Sequence, residues 1–420
     1  MARRLGLLSL LFVTALGASF SEAADWPFFR GPNRDGLSPD AQPPLHWSKQ
    51  QNIRWGAKLP GPGNSSPIVT GNKVLLTCAL DRQGTRRALL CFDRADGHPL
   101  WTQTVNWQAG DPTHATNPYC ASTPATDGQR VIAWHGAAGL YCYDLDGKPL
   151  WKADLGLIRH IWGYASSPLI HGTRVYLNCG PGHRSFVVCL DKNTGEKLWL
   201  TDEPGGAEDK SPETKSWIGS WSSGVIRKID GQEQFVVAQP RHVNAYDLAS
   251  GKILWTCSGT GDLAYTDVIV GDDIAVAMAG YGGAAIGFKP GGTGDTTASH
   301  RLWRTTQKIP QRIGTGILRG HNLFIANEPG LIECIDATSG KTVWSHREPG
   351  QNFWALLAGT NDRLYATSQQ GNTYVFAPDP AAWRLLATNA IEEHINASPA
   401  LVERQLFLRT WENLYCIEER

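Results

Sequence analysis

The side chains of this 420-residue chain that could meet a ligand are aromatic and polar rather than nucleophilic. In chain order they are His114 with Asn117, then His160, Trp162 and Tyr164, then Trp217 and Trp221, then Tyr265 and Asp267. Arg312, Phe353 with Trp354, and His394 with Asn396 follow. Each group lies just ahead of a Ser-Ser-Pro phrase or its equivalent, so a fold that gathers those points builds a crown of rings flanked by polar groups. A crown of this kind suits a planar ligand, a sugar or a peptide, stacked on the rings and oriented by a few hydrogen bonds. The competing reading is architectural, with the same rings as packing and channel plugs.

Signatures of catalysis are missing. The chain has no Gly-x-Ser-x-Gly elbow and no His-Glu-x-x-His, and Gly340-Lys341-Thr342 lacks the upstream glycine of a phosphate loop. The string Gly259-Thr260-Gly261-Asp262-Leu263-Ala264 matches a dinucleotide pattern, but no helix-forming stretch follows it. The histidines fall in different repeats without close His or carboxylate neighbours, so no metal site is expected and no catalytic residue is assigned.

The elements that position the crown are repeats. A phrase of the form small-x-Asp-x-x-Thr/Ser-Gly-Lys-x-x-Trp runs from Cys189 to Trp199, from Ala245 to Trp255 and from Cys334 to Trp344. Looser copies run from Cys91 to Trp101, from Cys142 to Trp151, and from Ile286 to Trp303 with a glycine-rich insertion. The closing tryptophans Trp55, Trp101, Trp151, Trp199, Trp255, Trp303 and Trp344 stand 41 to 56 residues apart, the period of stacked supersecondary units. Asp stepping to Gly is a hairpin turn, with the carboxylate accepting local N–H groups and Gly taking positive φ.

Upstream of each hairpin stands Ser65-Ser66-Pro67, Ser122-Thr123-Pro124, Ser166-Ser167-Pro168, Ser222-Ser223-Gly224 or Ser398-Pro399, followed by a Gly turn and an apolar strand. One repeat thus holds four strands, and a four-stranded repeat of this length is a propeller blade. Counting predicts eight blades, the seventh degenerate at Tyr374 to Leu386. The last repeat starts at Ser398 and lacks its Trp-ending strand, while Asn52 to Trp55 precede the first Ser-Ser-Pro. An eight-bladed, all-β propeller of four-stranded antiparallel blades is expected, its ring closed by the N-terminal strand pairing with the C-terminal blade.

Composition agrees with many short strands and tight turns: 45 Gly, 25 Pro and 17 Trp, with 19% charged residues. The 39 basic and 39 acidic residues balance, which excludes a nucleic-acid-coating surface. Residues 1–23 read as a secretory signal, with Arg3 and Arg4 before an apolar run too short for a comfortable membrane span. Residues 24–420 then form one domain, an exported monomer that does not span the membrane after cleavage. Export would permit disulfides. Yet Cys91, Cys142, Cys189, Cys334 and Cys416 occupy one place in the repeat, which argues for small buried strand residues rather than pairs. The polar stretch from Ala207 to Ser216 reads as a solvated loop or a partner contact.

The Asp-x-x-Thr-Gly-Lys-x-x-Trp phrase resembles the tryptophan-docking repeat of the pyrroloquinoline quinone (PQQ) repeat superfamily, across essentially the whole chain after the leader. That resemblance implies that the Trp of each blade packs on the hairpin of its neighbour. The segment Asp25 to Gly36, with Trp26-Pro27-Phe28-Phe29-Arg30-Gly31-Pro32, is similar to the opening of a group of exported PQQ-like propellers. The superfamily divides into quinoprotein dehydrogenases and non-catalytic scaffolds such as the outer-membrane assembly factor BamB. The dehydrogenase type implies a quinone stacked between a Trp and a disulfide of adjacent cysteines, beside Ca²⁺ held by Glu, Asn and Asp. This chain contains no Cys-Cys pair. The expectation is therefore a periplasmic or envelope-associated binding or scaffold protein without cofactor, contacting an envelope protein or a small ligand through its funnel face. The alternatives are a PQQ- and Ca²⁺-dependent dehydrogenase and a carbohydrate- or peptide-binding propeller.

Overall fold

A computed structural model describes residues 25–108, 110–182, 184–203, 217–305 and 312–419. The expected leader at 1–23 and the polar stretch at 207–216 lie outside the described residues. The chain is all-β, and its strands form eight blades in chain order. Their innermost strands are Ile68–Thr70, Ala125–Thr126, Leu169–His171, Val225–Ile229, Ile269–Val270, Ile317–Arg319, Ala358–Gly359 and Ala400–Val402. Each leads outward through three more antiparallel strands, as in the first blade with Lys73–Ala79, Arg86–Asp93 and Pro99–Asn106. The eighth blade takes its outer strand from the N-terminal side: Ile53–Lys58 pairs antiparallel with Asn413–Glu418, setting Trp55 opposite Cys416. No helix among the described residues is long and apolar enough to cross a membrane.

The middle strands of a blade are covered on both faces by neighbouring blades, so they read as continuous apolar runs such as Lys73–Ala79, buried from Val74 onward. The outer strands face water on one side and alternate. Between them sits the tryptophan dock. Trp55, Trp101, Trp151, Trp199, Trp303 and Trp344 each donate the indole N–H to a hairpin carbonyl of the next blade: Arg94, Leu145, Lys192, Leu248, Ala337 and Asp379, at 2.7 to 3.0 Å. The hairpin glycine lies under the ring. At Gly251, with φ +72°, a Cβ would come within 2.4 Å of Trp199. Glycine is needed there for both the turn and the approach.

The small residue that opens each phrase has the complementary role. Cys91, Cys142, Cys189, Cys334 and Cys416 sit directly across the ladder from Trp101, Trp151, Trp199, Trp344 and Trp55. Ala245 faces Trp255 and Gly287 faces Trp303, where a Cβ would meet the indole at 2.1 Å. In the degenerate seventh blade the volumes exchange, with Val375 opposite Ala387. The nine cysteines are all free, buried thiols. Burial pushes Cys91, Cys142, Cys189 and Cys416 up to about 12, which keeps them protonated and unreactive.

Trp255 departs from the pattern. It is fully buried and donates within its own blade, to Gln234 Oε1 at 2.7 Å. The glycine-rich insertion of the fifth blade explains this, because Gly294–Asp295 adds a fifth, parallel strand against Trp255 and Thr256.

The Ser-Ser-Pro phrases hold the blades together at the axis. The second hydroxyl of each accepts a backbone N–H from the preceding blade, so the bonds run in a circle. Ser66 N–H donates to Thr123 Oγ1, Thr123 to Ser167, Ser167 to Ser223, Ser223 to Asp267 and Asp267 to Thr315. Leu356 N–H donates to Ser398 and Ser398 back to Ser66; these seven bonds measure 2.6 to 3.0 Å. The circle is interrupted at Leu356, which has no hydroxyl, and Asp267 stands in the fifth blade where others carry Ser or Thr. The first hydroxyl serves its own blade, as where Ser166 donates to Asn178 O at 2.6 Å.

Candidate functional site

Two sets of loops reach the mouth of the axis where the innermost strands begin. One set precedes the innermost strands and carries the crown residues. The other joins the second and third strands and brings Tyr281 to the cavity wall and Glu328 to the Trp354 indole N–H, which it accepts. Here an axial cavity of about 150 Å³ opens, lined by His114, Trp162, Trp221, Tyr265, Asp267 and Trp354 together with Phe29, Asn64, Asn117, Tyr281 and Asn396. The loop at 113–117 crosses its rim and is gripped from several blades. Asn64 Nδ2 and Asn396 Nδ2 both donate to Thr116 O at 3.1 Å, and Asn117 Nδ2 donates to Trp162 O at 2.8 Å. The volume falls below the roughly 300–1,000 Å³ of ordinary ligand pockets.

The rings form one cluster over the third to fifth blades. His160 lies 5.1 Å from Trp221, 5.5 Å from Trp162 and 5.9 Å from Trp217. Trp162 stacks on Tyr281 at 5.7 Å, and Trp221 meets Tyr265 at 4.7 Å. His160 is 1% exposed, and burial among the indoles lowers its pKa to about 4, so the imidazole is neutral. Trp162 and Trp217 are half-buried, while Tyr281 is 55% exposed. These three rings border a groove of about 1250 Å³ whose far wall carries Arg241, Arg301, Arg304 and Asp262. The arginines are held in place: Arg241 pairs with Asp262 at 2.7 Å, and Arg301 and Arg304 donate to Ser258 O and Gly259 O at 2.7 Å.

Asp267 lines the cavity but is committed to the fold. Its Oδ1 accepts from Ser223 N at 2.6 Å, Ser222 Oγ at 3.1 Å and Gly224 N at 3.3 Å, and Oδ2 lies 4.0 Å from Arg30. Burial raises its pKa against the opposing pull of Arg30 and these donors. Six crown residues stand outside the cavity lining: His160 and Trp217 belong to the ring cluster beside it, and Tyr164, Arg312, Phe353 and His394 have other partners. Tyr164 packs on Trp134 at 4.8 Å, Arg312 faces Glu333 at 4.0 Å, and His394 lies on Trp411 at 4.0 Å. Phe353 is a core residue against Tyr374.

The floor of the cavity is Phe29, from an N-terminal strap that circles the opposite mouth. Trp26 pairs with Val69 of the first blade, and Pro27 O accepts from Thr126 of the second. Phe28 packs into the core between the second and third. Asn33 O accepts from Arg227 of the fourth, Arg30 reaches Asp267 of the fifth and donates to Gly316 O beside the sixth, and Leu37 bridges Gly359 of the seventh. Gln42 N–H then donates to Glu403 O of the eighth. The Gly31 turn is obligatory, since a Cβ there would meet the Trp26 ring at 2.9 Å. On the surface, Asp93, Asp96 and His98 cluster in the first hairpin, where Asp96 Oδ1 already accepts from His98.

The family model described as outer membrane protein assembly factor BamB matches residues 86–346 and 183–420. A curated protein of that name from Burkholderia pseudomallei (strain K96243) is 21% identical over 360 residues, 74% of this chain and 84% of its own length. The BamB structure from Moraxella catarrhalis superposes with a TM-score of 0.59 at 12% identity, covering 87% of this chain and 96% of that one. Quinohemoprotein alcohol dehydrogenase from Comamonas testosteroni superposes with a TM-score of 0.66 at 12% identity, covering 96% and 82%. At such identities the two structures speak to the fold alone.

Proposed function

We propose, for a chain that belongs to the propeller family described as outer membrane protein assembly factor BamB, a role as a non-catalytic binding protein of the cell envelope that holds a partner on its funnel face. The observation that carries this reading is the half-exposed aromatic rim of Trp162, Trp217 and Tyr281 beside a wide groove with three tethered arginines. Rings fixed by mutual packing lose little freedom on binding, and aromatic and Arg side chains supply most hot-spot energy at interfaces. The envelope setting draws its support from family membership and from the relative named for outer membrane protein assembly.

A quinone cofactor matches this lining poorly. Among the described residues the cavity offers one lining carboxylate, Asp267, already engaged by three donors, whereas Ca²⁺ needs a set of oxygen ligands. The nine thiols are separate from one another in sequence and sit under tryptophans or in cores rather than beside the cavity. Titrating PQQ into the purified protein, with and without Ca²⁺, while following absorbance and melting temperature is expected to show no saturable change. Saturable micromolar binding that raises the melting temperature would overturn the non-catalytic reading.

A further inference from the structure

At the strap side of the ring, beneath the floor of the axial cavity, three arginines converge on a second cavity. Arg30 and Arg34 come from the strap and Arg227 from the fourth blade, and all three line a space of about 730 Å³. Arg30 is 5% and Arg34 9% exposed. Their charges are incompletely answered. Asp267 lies 4.0 Å from Arg30, but its other oxygen is taken by the axial circle. Asp35 acts on Arg30 and Arg227, yet its Oδ1 accepts from Leu37 N–H at 2.9 Å. The acidic groups of the rim are turned to other partners, Glu233 to His171 and Asp273 to His321, each at 3.0 Å, while Asp272 is exposed. Among the described residues, Arg34 Nη2 and Arg30 Nε are buried without a hydrogen-bond partner.

Such an arrangement is costly for the protein alone. Burial pushes Arg34 down to about 9 and lowers Arg30 and Arg227 as well, with Arg227 adding like-charge repulsion to both neighbours. A guanidinium keeps its charge, so relief must come from an anion. Its planar fork matches the oxygens of phosphate better than any other side chain. Arg34 lies over the Phe28 ring at 4.3 Å, a cation–π contact that holds the guanidinium at the cavity wall.

We propose that Arg30, Arg34 and Arg227 form a binding site for a phosphate-class oxyanion at the strap-closed mouth of the propeller. The site takes either free phosphate or a phosphate group carried on a larger molecule, and 730 Å³ leaves room for the latter. By clamping strap to blades, a bound anion links ligand to ring stability.

The test is a thermal melt and a calorimetric titration of the full protein with inorganic phosphate, against sodium chloride of matched ionic strength. Saturable phosphate binding and a rise of several degrees beyond the chloride control are expected. Arg34→Gln and Arg227→Gln are each expected to weaken phosphate at least about tenfold, the scale of a lost charge-assisted bond. Without phosphate, Arg34→Gln is expected to melt no lower than the parent, because it removes an unanswered buried charge. Flotation with vesicles containing phosphatidic acid separates the sources: capture that Arg227→Gln abolishes assigns a lipid phosphate, and binding of inorganic phosphate alone assigns a soluble one. A phosphate response equal to that of chloride would overturn the proposal. So would an Arg34→Gln protein that melts lower by the same amount with and without phosphate, which would make Arg34 a structural clasp.

Discussion

Replacing Asp267 by alanine is expected to lower the unfolding free energy by about 3–5 kcal/mol, the cost of breaking a buried ion pair from one side. The carboxylate serves the strap and the axial circle at once. It answers Arg30 of the strap at 4.0 Å and it accepts the Ser223 and Gly224 N–H groups and the Ser222 hydroxyl. Alanine would leave all of them buried without this acceptor. Asp267→Ser restores the hydroxyl that other blades carry at this place and is expected to regain about 1 kcal/mol, the worth of one hydrogen bond. It still leaves Arg30 without its counter-charge. Denaturant titration of both variants checks the order, and an Asp267→Ala protein within about 1 kcal/mol of the parent would remove the axial circle and strap lock from the account.

Acid is expected to destabilise the propeller well before its carboxylates titrate. His135 is fully buried in the second blade, with both ring nitrogens unpartnered among the described residues and Arg87 donating to its carbonyl at 2.5 Å. Burial first, and the Arg87 charge second, lower it to about 3. His160 is lowered by burial to about 4. In the unfolded chain both take a proton near pH 6.5. The unfolded state therefore binds more protons between that pH and about 4, so stability falls as pH falls through this window. From pH 7 to pH 5 the two groups together are expected to cost about 3–4 kcal/mol, at 1.36 kcal/mol per pH unit for each. Urea titrations at the two pH values measure the loss, and His135→Gln should halve it. Equal stability at pH 7 and 5 would mean that neither imidazole resists protonation.

The fold was open to reading because its repeat carries its own packing logic. Trp, the turn Gly and the small residue before Asp recur together because one indole touches the other two, as Trp199 touches Gly251 while facing Cys189. The Ser-Ser-Pro phrase was visible as a motif, but its role was not. A hydroxyl that serves the neighbouring blade gains meaning only once Ser398 reaches Ser66 around the axis. The crown was read from loops that precede innermost strands, which collects Trp162, Trp221 and Tyr265. It passes over Tyr281, which arrives on the loop between Ala275–Met278 and Ala285–Phe288. Phe29 was missed for a different reason. Its segment was matched as an opening phrase, and no local pattern tells that a strap from Trp26 to Gln42 will run beneath the channel. Tyr164 belongs to the core because Gly136 leaves a gap for its ring, a pairing between blades with no sequence period.

The most direct test of the funnel face as the binding face is a photo-crosslinking scan in the cells that make the protein. A crosslinking residue is placed at Tyr281 on the funnel rim, at Leu198 on an outer strand and at Asp272 by the strap. A discrete adduct with one envelope protein is predicted from Tyr281, lost when Trp217 is replaced by alanine, with none from Leu198. Adducts from Leu198 while Tyr281 stays silent would place the partner on the blade edges and contradict the account.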